Sequence, residues 1–205
     1  MTHTLHRRGS RESLSGDYTM IMLRAVGINE DDHVRKIREF LRIALRHHAV
    51  NIGSVEGGGI GLDKAEEVIA NATQAGQAAF ATQEDVTAVL KELKEADLGV
   101  SVTAGGIFEK VDESLRQAGL QHHTANFSLG VWGKIEKLPP DDILEVTTMC
   151  GHGMISTNRV KKMVSDIKTG VRTPAEAAKS LAPACACGVF NPDSAAKLLR
   201  KMADK

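Results

Sequence analysis

The chain is poor in aromatic surface, poor in cysteine and without long apolar runs, and each shortage removes a class of function. Phe, Trp and Tyr together make up 3% of the 205 residues, with one Trp and one Tyr. That is too little to build a surface on which exposed bases stack, so no nucleic-acid partner is expected. No stretch approaches the roughly 18 consecutive apolar residues that cross a bilayer, and no membrane partner is expected either. The opening residues Met1 to Arg8 hold two arginines with no apolar segment behind them, unlike a secretory signal. Three cysteines is an odd number. Without export they point to a reducing, cytoplasmic setting, where cysteines more often serve metals or catalysis than disulfides.

What is present is the composition of an ordinary folded protein: 42% hydrophobic, 25% charged and a formal net charge of zero. The length suits one domain, or one domain with an appendage, and can bury a core without covalent staples. The neutral total hides an asymmetry. From Arg159 onward there are ten Lys or Arg against four Asp or Glu, a surplus of six positive charges that the first 158 residues balance. A solvated surface accounts for this, as does a basic section that docks against an anionic centre or an acidic partner.

Patterning suggests three regions: an extended arm over 1–17, an α/β domain over 18–148, and a helical, cysteine-bearing section over 149–205. The arm is polar and aperiodic. Tyr18 to Val26 reads as a strand, followed by a helix capped by Asn29 with Val34, Ile37, Phe40, Leu41 and Leu45 on one face. His47 and His48 close that helix, where histidine favours the macrodipole. Further strands are expected at Ala49 to Val55, Ala78 to Ala81, Val100 to Thr103, Thr124 to Trp132 and Ile143 to Cys150. Helices fall between the earlier ones. Strands alternating with helices of 10 to 18 residues predict βαβ units, hence an α/β fold with a mixed or mostly parallel sheet flanked by helices. The C-terminal helices carry clearer punctuation: Thr173-Pro174-Ala175-Glu176 is a capping box with proline at the first helical position, and Asn191-Pro192 repeats the device.

Two places could carry chemistry. After the second expected strand, Gly57, Gly58, Gly59 and Gly61 precede a helix. Their backbone N–H groups could cradle a phosphate or carboxylate of a small-molecule substrate. The spacing is not the dinucleotide fingerprint, and no Lys-Ser/Thr follows as in a P-loop. A flexible turn explains it as well.

The second place is the set of all three cysteines, Cys150, Cys185 and Cys187, each beside a glycine turn or a second cysteine, with His152 two residues after the first. The hairpin between them, with a stop at Pro183, can bring Cys-x34-Cys-x-Cys together. Three thiolates and an imidazole then suit an iron–sulfur cluster with three cysteine ligands. There His152 is the candidate catalytic residue or fourth ligand, and an open iron acts as a Lewis acid or the cluster as a redox centre. A Cys3His zinc site is the alternative, although zinc sites usually use Cys-x2-4-Cys. A cubane would hold the sulfurs roughly 6 to 7 Å apart, and a single zinc would bring them to about 3.8 Å.

Two readings need no metal. Cysteine is often a small buried hydrophobe. Alternatively, Cys150 is a nucleophile at the end of a strand, activated by the helix N-terminus beyond it, with His122 or His123 as base. The iron–sulfur enzyme or enzyme subunit, acting on a small molecule, is the leading expectation, with a zinc-stabilised accessory or binding subunit behind it. A protein partner or a second copy of the chain is left open. The likeness to iron–sulfur proteins is one of ligand chemistry only.

Overall fold

The computed structural model describes residues 2–58 and 61–205. A four-stranded sheet is built from β1 (Tyr18–Leu23), β2 (Asn51–Gly53), β3 (Ala75–Phe80) and β4 (Val102–Gly105), in the order β2-β3-β1-β4. Every neighbouring pair is antiparallel, with Tyr18 opposite Phe80, Thr19 opposite Gly105 and Asn51 opposite Ala79. The sheet is thus antiparallel, not mixed or mostly parallel. The error has a definite physical source. β1 and β2 do run the same way, as do β3 and β4, but one strand of the other pair lies between each. These are interleaved split βαβ units. Adjacent and split units produce the same alternation along the chain, so alternation cannot tell them apart. The plan itself carries no function.

The helices are α1 (Arg11–Leu14), α2 (His33–Arg46), α3 (Ala65–Asn71), α4 (Gln83–Ala96), α5 (Phe108–Gln117), α6 (Asp141–Thr147), α7 (Thr157–Lys168), α8 (Pro174–Leu181) and α9 (Pro192–Ala203). Side chains alternate across a strand, and Tyr18, Met20, Met22, Ile52, Ala78 and Phe80 bury one sheet face against α2 to α5. The apolar stripe of α2 is Ile37, Phe40, Leu41, Ile43 and Ala44. Asn29 does not cap it; its side chain instead accepts from the N–H of Ala25, closing a turn before the helix.

The opposite sheet face is smaller and more polar, with Thr19, Asn51 and Gln77 buried beside Ile21 and Ala79. On this side Gly53 meets the backbone of Cys187, and Asn51 Nδ2 donates to the carbonyl of Phe190 at 2.9 Å. Asn191 does more than cap α9. Its Oδ1 accepts from Ser194 N–H while its Nδ2 donates to the carbonyls of Gly16 and Phe80, both at 3.0 Å. A second apolar cluster, drawn from residues between Ile143 and Met202, contains all three cysteines.

Three further expectations change. Ile143 to Cys150 is not a strand: α6 covers most of it, with Pro140 at its cap and Asp141 and Asp142 in the first turn, where carboxylates favour the dipole. Its β-branched residues are tolerated because Ile143, Leu144 and Val146 pack inward. Thr124 to Trp132 forms no strand, and Phe127, Leu129, Val131 and Trp132 are exposed. The arm is not extended; it makes a 3-10 helix over Thr2–His6, then α1.

The C-terminal helices fall where their caps place them. Thr173 and Glu176 form the full capping box of α8. Thr173→Ala is expected to cost about 1 kcal/mol, seen as a lower urea midpoint at unchanged slope. A midpoint equal to that of the parent would mean the helix end is held by packing alone.

Candidate metal centre

Cys150 lies just past the C-terminal end of α6, in a turn that runs to the Ser156 cap of α7. Cys185 follows a 3-10 turn over Ala182–Ala184, and Cys187 precedes Gly188, which holds a φ of +71°. Gly188 adopts that conformation flush against β2, where a side chain would collide with Ile52 and Gly53. The glycine therefore serves both a left-handed turn and a close backbone approach.

These turns bring the sulfurs together across 34 intervening residues. Cys185 Sγ and Cys187 Sγ are 3.7 Å apart, and Cys187 Sγ lies 3.6 Å from His152 Nδ1. Cys150 stands near enough to Cys185 for the two thiols to influence each other's protonation. The three cysteines are 2% exposed or less, whereas His152 sits at the surface end. Among the described residues no group of three or more His, Cys, Asp or Glu is already disposed around a metal position. The arrangement is a string, Cys185 to Cys187 to His152, with Cys150 beside Cys185, and Cys150 would have to close in on Cys187 and His152 to complete a coordination shell.

The string is electrically graded. The hydrogen bond to Cys185, then burial, pushes the Cys150 thiol well above its ordinary range. For Cys185 the largest influence, the bond from Cys150, favours the thiolate. The bond to Cys187, burial and the neighbouring charge outweigh it, and the thiol is pushed up to about 11. Cys187 is held below its ordinary value, chiefly by the hydrogen bond from Cys185. The direction of the shift at Cys150 runs against an activated nucleophile. Cys150 follows the C-terminal end of a helix, the negative end of its dipole, rather than preceding an N-terminus. Of the two expected bases, His122 faces Asp112 at 3.1 Å and packs edge-on to Phe108.

Residue reading missed Arg7. From the arm, its guanidinium reaches Asp17, the carbonyl of Val189 and, at 3.3 Å, the carbonyl of Met149. The last two flank the cysteine turns. Burial pushes the guanidinium down to about 10, against the pull of Cys185, Cys187 and Cys150. The signal that could have found it was weak: an arginine pair in a polar arm.

The glycine loop is a different matter. It leaves β2 beside Cys187, but Gly57 N–H donates to Ser54 Oγ at 2.7 Å and Gly58 N–H to the Ser54 carbonyl at 2.9 Å. Two donors that an anion cradle would use are thereby spent. Gly61 carries a φ of +91° with open space around it, and Gly59 lies outside the described residues. A cleft of about 690 Å³ opens beside the arm, walled by Leu5, Arg7, Val131, Ile135, Leu144 and Thr148; no cysteine lines it. Among the described residues no helix is long and apolar enough to cross a membrane.

No family model matches the chain, and no curated protein or solved structure is significantly similar to it.

Proposed function

We propose that Cys150, Cys185, Cys187 and His152 bind a single tetrahedral metal ion of the zinc class, and that the chain is a metal-stabilised accessory or binding protein. The observation that carries the reading is the pair of distances, 3.7 Å between Cys185 and Cys187 sulfurs and 3.6 Å from Cys187 sulfur to His152 Nδ1. Zinc bonds of about 2.3 Å to sulfur and about 2.05 Å to nitrogen make tetrahedral edges of about 3.8 and 3.6 Å. A cubane cluster needs the wider spacing of roughly 6 to 7 Å. Burial of all three sulfurs, with four candidate ligands once Cys150 closes in, favours a closed, structural ion over a catalytic one with an open position. The exposed apolar stretch at Phe127, Leu129, Val131 and Trp132 suits a protein partner.

Metal analysis of protein purified anaerobically, followed by replacement with cobalt(II), tests this. About one zinc per chain is expected, and a cobalt form with strong thiolate-to-metal absorption and tetrahedral d–d bands. His152→Ala should keep the charge-transfer band but weaken binding, since one of four ligands is gone. Brown protein with iron and acid-labile sulfide would instead establish the iron–sulfur centre. Metal-free protein that takes up neither would end both metal readings.

A further inference from the structure

We infer that Arg7 is a positioning residue of the cysteine centre: its guanidinium ties the two cysteine turns together and supplies the positive charge that a thiolate-rich site requires. The inference rests on the metal reading above.

Arginine is seldom buried without a partner, yet the Arg7 side chain is 9% exposed although it belongs to a polar N-terminal arm. Its contacts explain the burial. One face of the fork pairs with Asp17, the residue before β1; the other donates to the carbonyls of Met149 and Val189. Met149 immediately precedes Cys150, and Val189 is two residues past Cys187. A planar fork with five donors can span two backbone turns in this way, whereas a lysine ammonium is a point charge on a flexible stem. The neighbouring residue anchors the arm further, with Arg8 N–H donating to Thr148 Oγ1 at 2.9 Å and its guanidinium pairing with Asp141.

Charge supplies the second half of the argument. Three thiolates, one neutral imidazole and one divalent ion sum to a formal charge of −1, buried beside the sheet. The guanidinium lies within electrostatic reach of all three cysteines, where a positive charge lowers the cost of forming that anion in a low-dielectric site. The bonding of Arg7 is also incomplete: its Nε and the Oδ1 of Asp17 are buried without hydrogen-bond partners. A buried unmet donor is costly. An anionic centre next to it offsets that cost through the field.

The test compares wild type with Arg7→Gln, Arg7→Lys and Asp17→Asn. Zinc affinity is measured by competition with a chromophoric chelator, and thermal unfolding is followed with and without zinc. Arg7→Gln should weaken zinc binding about 10–100-fold, the usual effect of losing a group that orients ligands, and Arg7→Lys should fall between. Asp17→Asn removes the counter-charge but leaves the guanidinium. It should bind zinc at least as tightly as wild type, although it unfolds at lower temperature when metal-free. A purely structural arginine predicts the opposite, with both variants losing affinity in step with their metal-free stability. That result, or wild-type affinity in Arg7→Gln, overturns the proposal. If Arg7→Gln does not fold, Arg7→Lys and Asp17→Asn still give opposite signs. Wild type that binds no zinc at all fails before any variant is compared, and that failure belongs to the metal reading.

Discussion

For the proposed zinc site, stripping the ion with a strong chelator is expected to lower the midpoint of thermal unfolding by about 10 °C. A ligand present at about a thousand times its dissociation constant stabilises the native state by about 4 kcal/mol, and each kcal/mol shifts a chain of this size by about 2–4 °C. The loss should concentrate in the C-terminal half. Its apolar cluster includes the three cysteines, and the turns that carry them also join α6 to the edge of β2. Hydrogen exchange should show α6 to α9 losing protection before the sheet does. Cys185→Ser should start at the lowered midpoint and gain nothing from added zinc. Affinity should fall on acidification, because each bound thiol must first give up its proton. A midpoint indifferent to chelator, in protein that carries zinc as isolated, would show the ion to be a passenger on a fold that stands without it.

Gly188→Ala is expected to be strongly damaging for a single methyl, costing about 3 kcal/mol or more. Its φ of +71° already penalises any side chain, and a Cβ there would lie 2.3 Å from both the carbonyl carbon of Ile52 and the nitrogen of Gly53. The contact is reciprocal, since a Cβ on Gly53 would stand 2.5 Å from the carbonyl carbon of Cys187. Backbone meets backbone on both sides, so neither can yield without moving Cys187 away from His152. Zinc affinity and stability should therefore fall together. Gly153→Ala is the control. It shares the left-handed backbone, φ +69°, in the other cysteine turn, but has open space around it. It should cost about 1 kcal/mol. Equal denaturation midpoints for the two variants would mean that the loop at Gly188 moves off β2 freely.

How much of this was legible beforehand differs from element to element. The caps at Ser156, Thr173 and Asn191 accept hydrogen bonds from the backbone within their own first turns, so a window of four residues contains the whole interaction, and α8 and α9 were readable from it. β1 was readable because its β-branched and long apolar residues bury on both faces. The strand expected at Ile143 to Cys150 failed on competing local signals: Val146, Thr147 and Thr148 favour extension, while Pro140, Asp141 and Asp142 start a helix, and packing of Ile143, Leu144 and Val146 decides. Thr124 to Trp132 has the residues of a strand but no neighbouring strand to pair with.

The sequence by itself determined the residue types at the candidate centre, the glycines that let its turns fold tightly, and the capped helices that bring the last two cysteines back. Only the tertiary structure decided the strand directions, because a split and an adjacent βαβ unit share one local pattern. It also decided which end of a helix Cys150 meets, and with it the direction in which that thiol is shifted. Arg7 belongs to the same class. Its value comes from Asp17, Met149 and Val189, and the last two lie 142 and 182 residues away along the chain. No local window contains them, and the energy of a buried charge depends on everything that surrounds it.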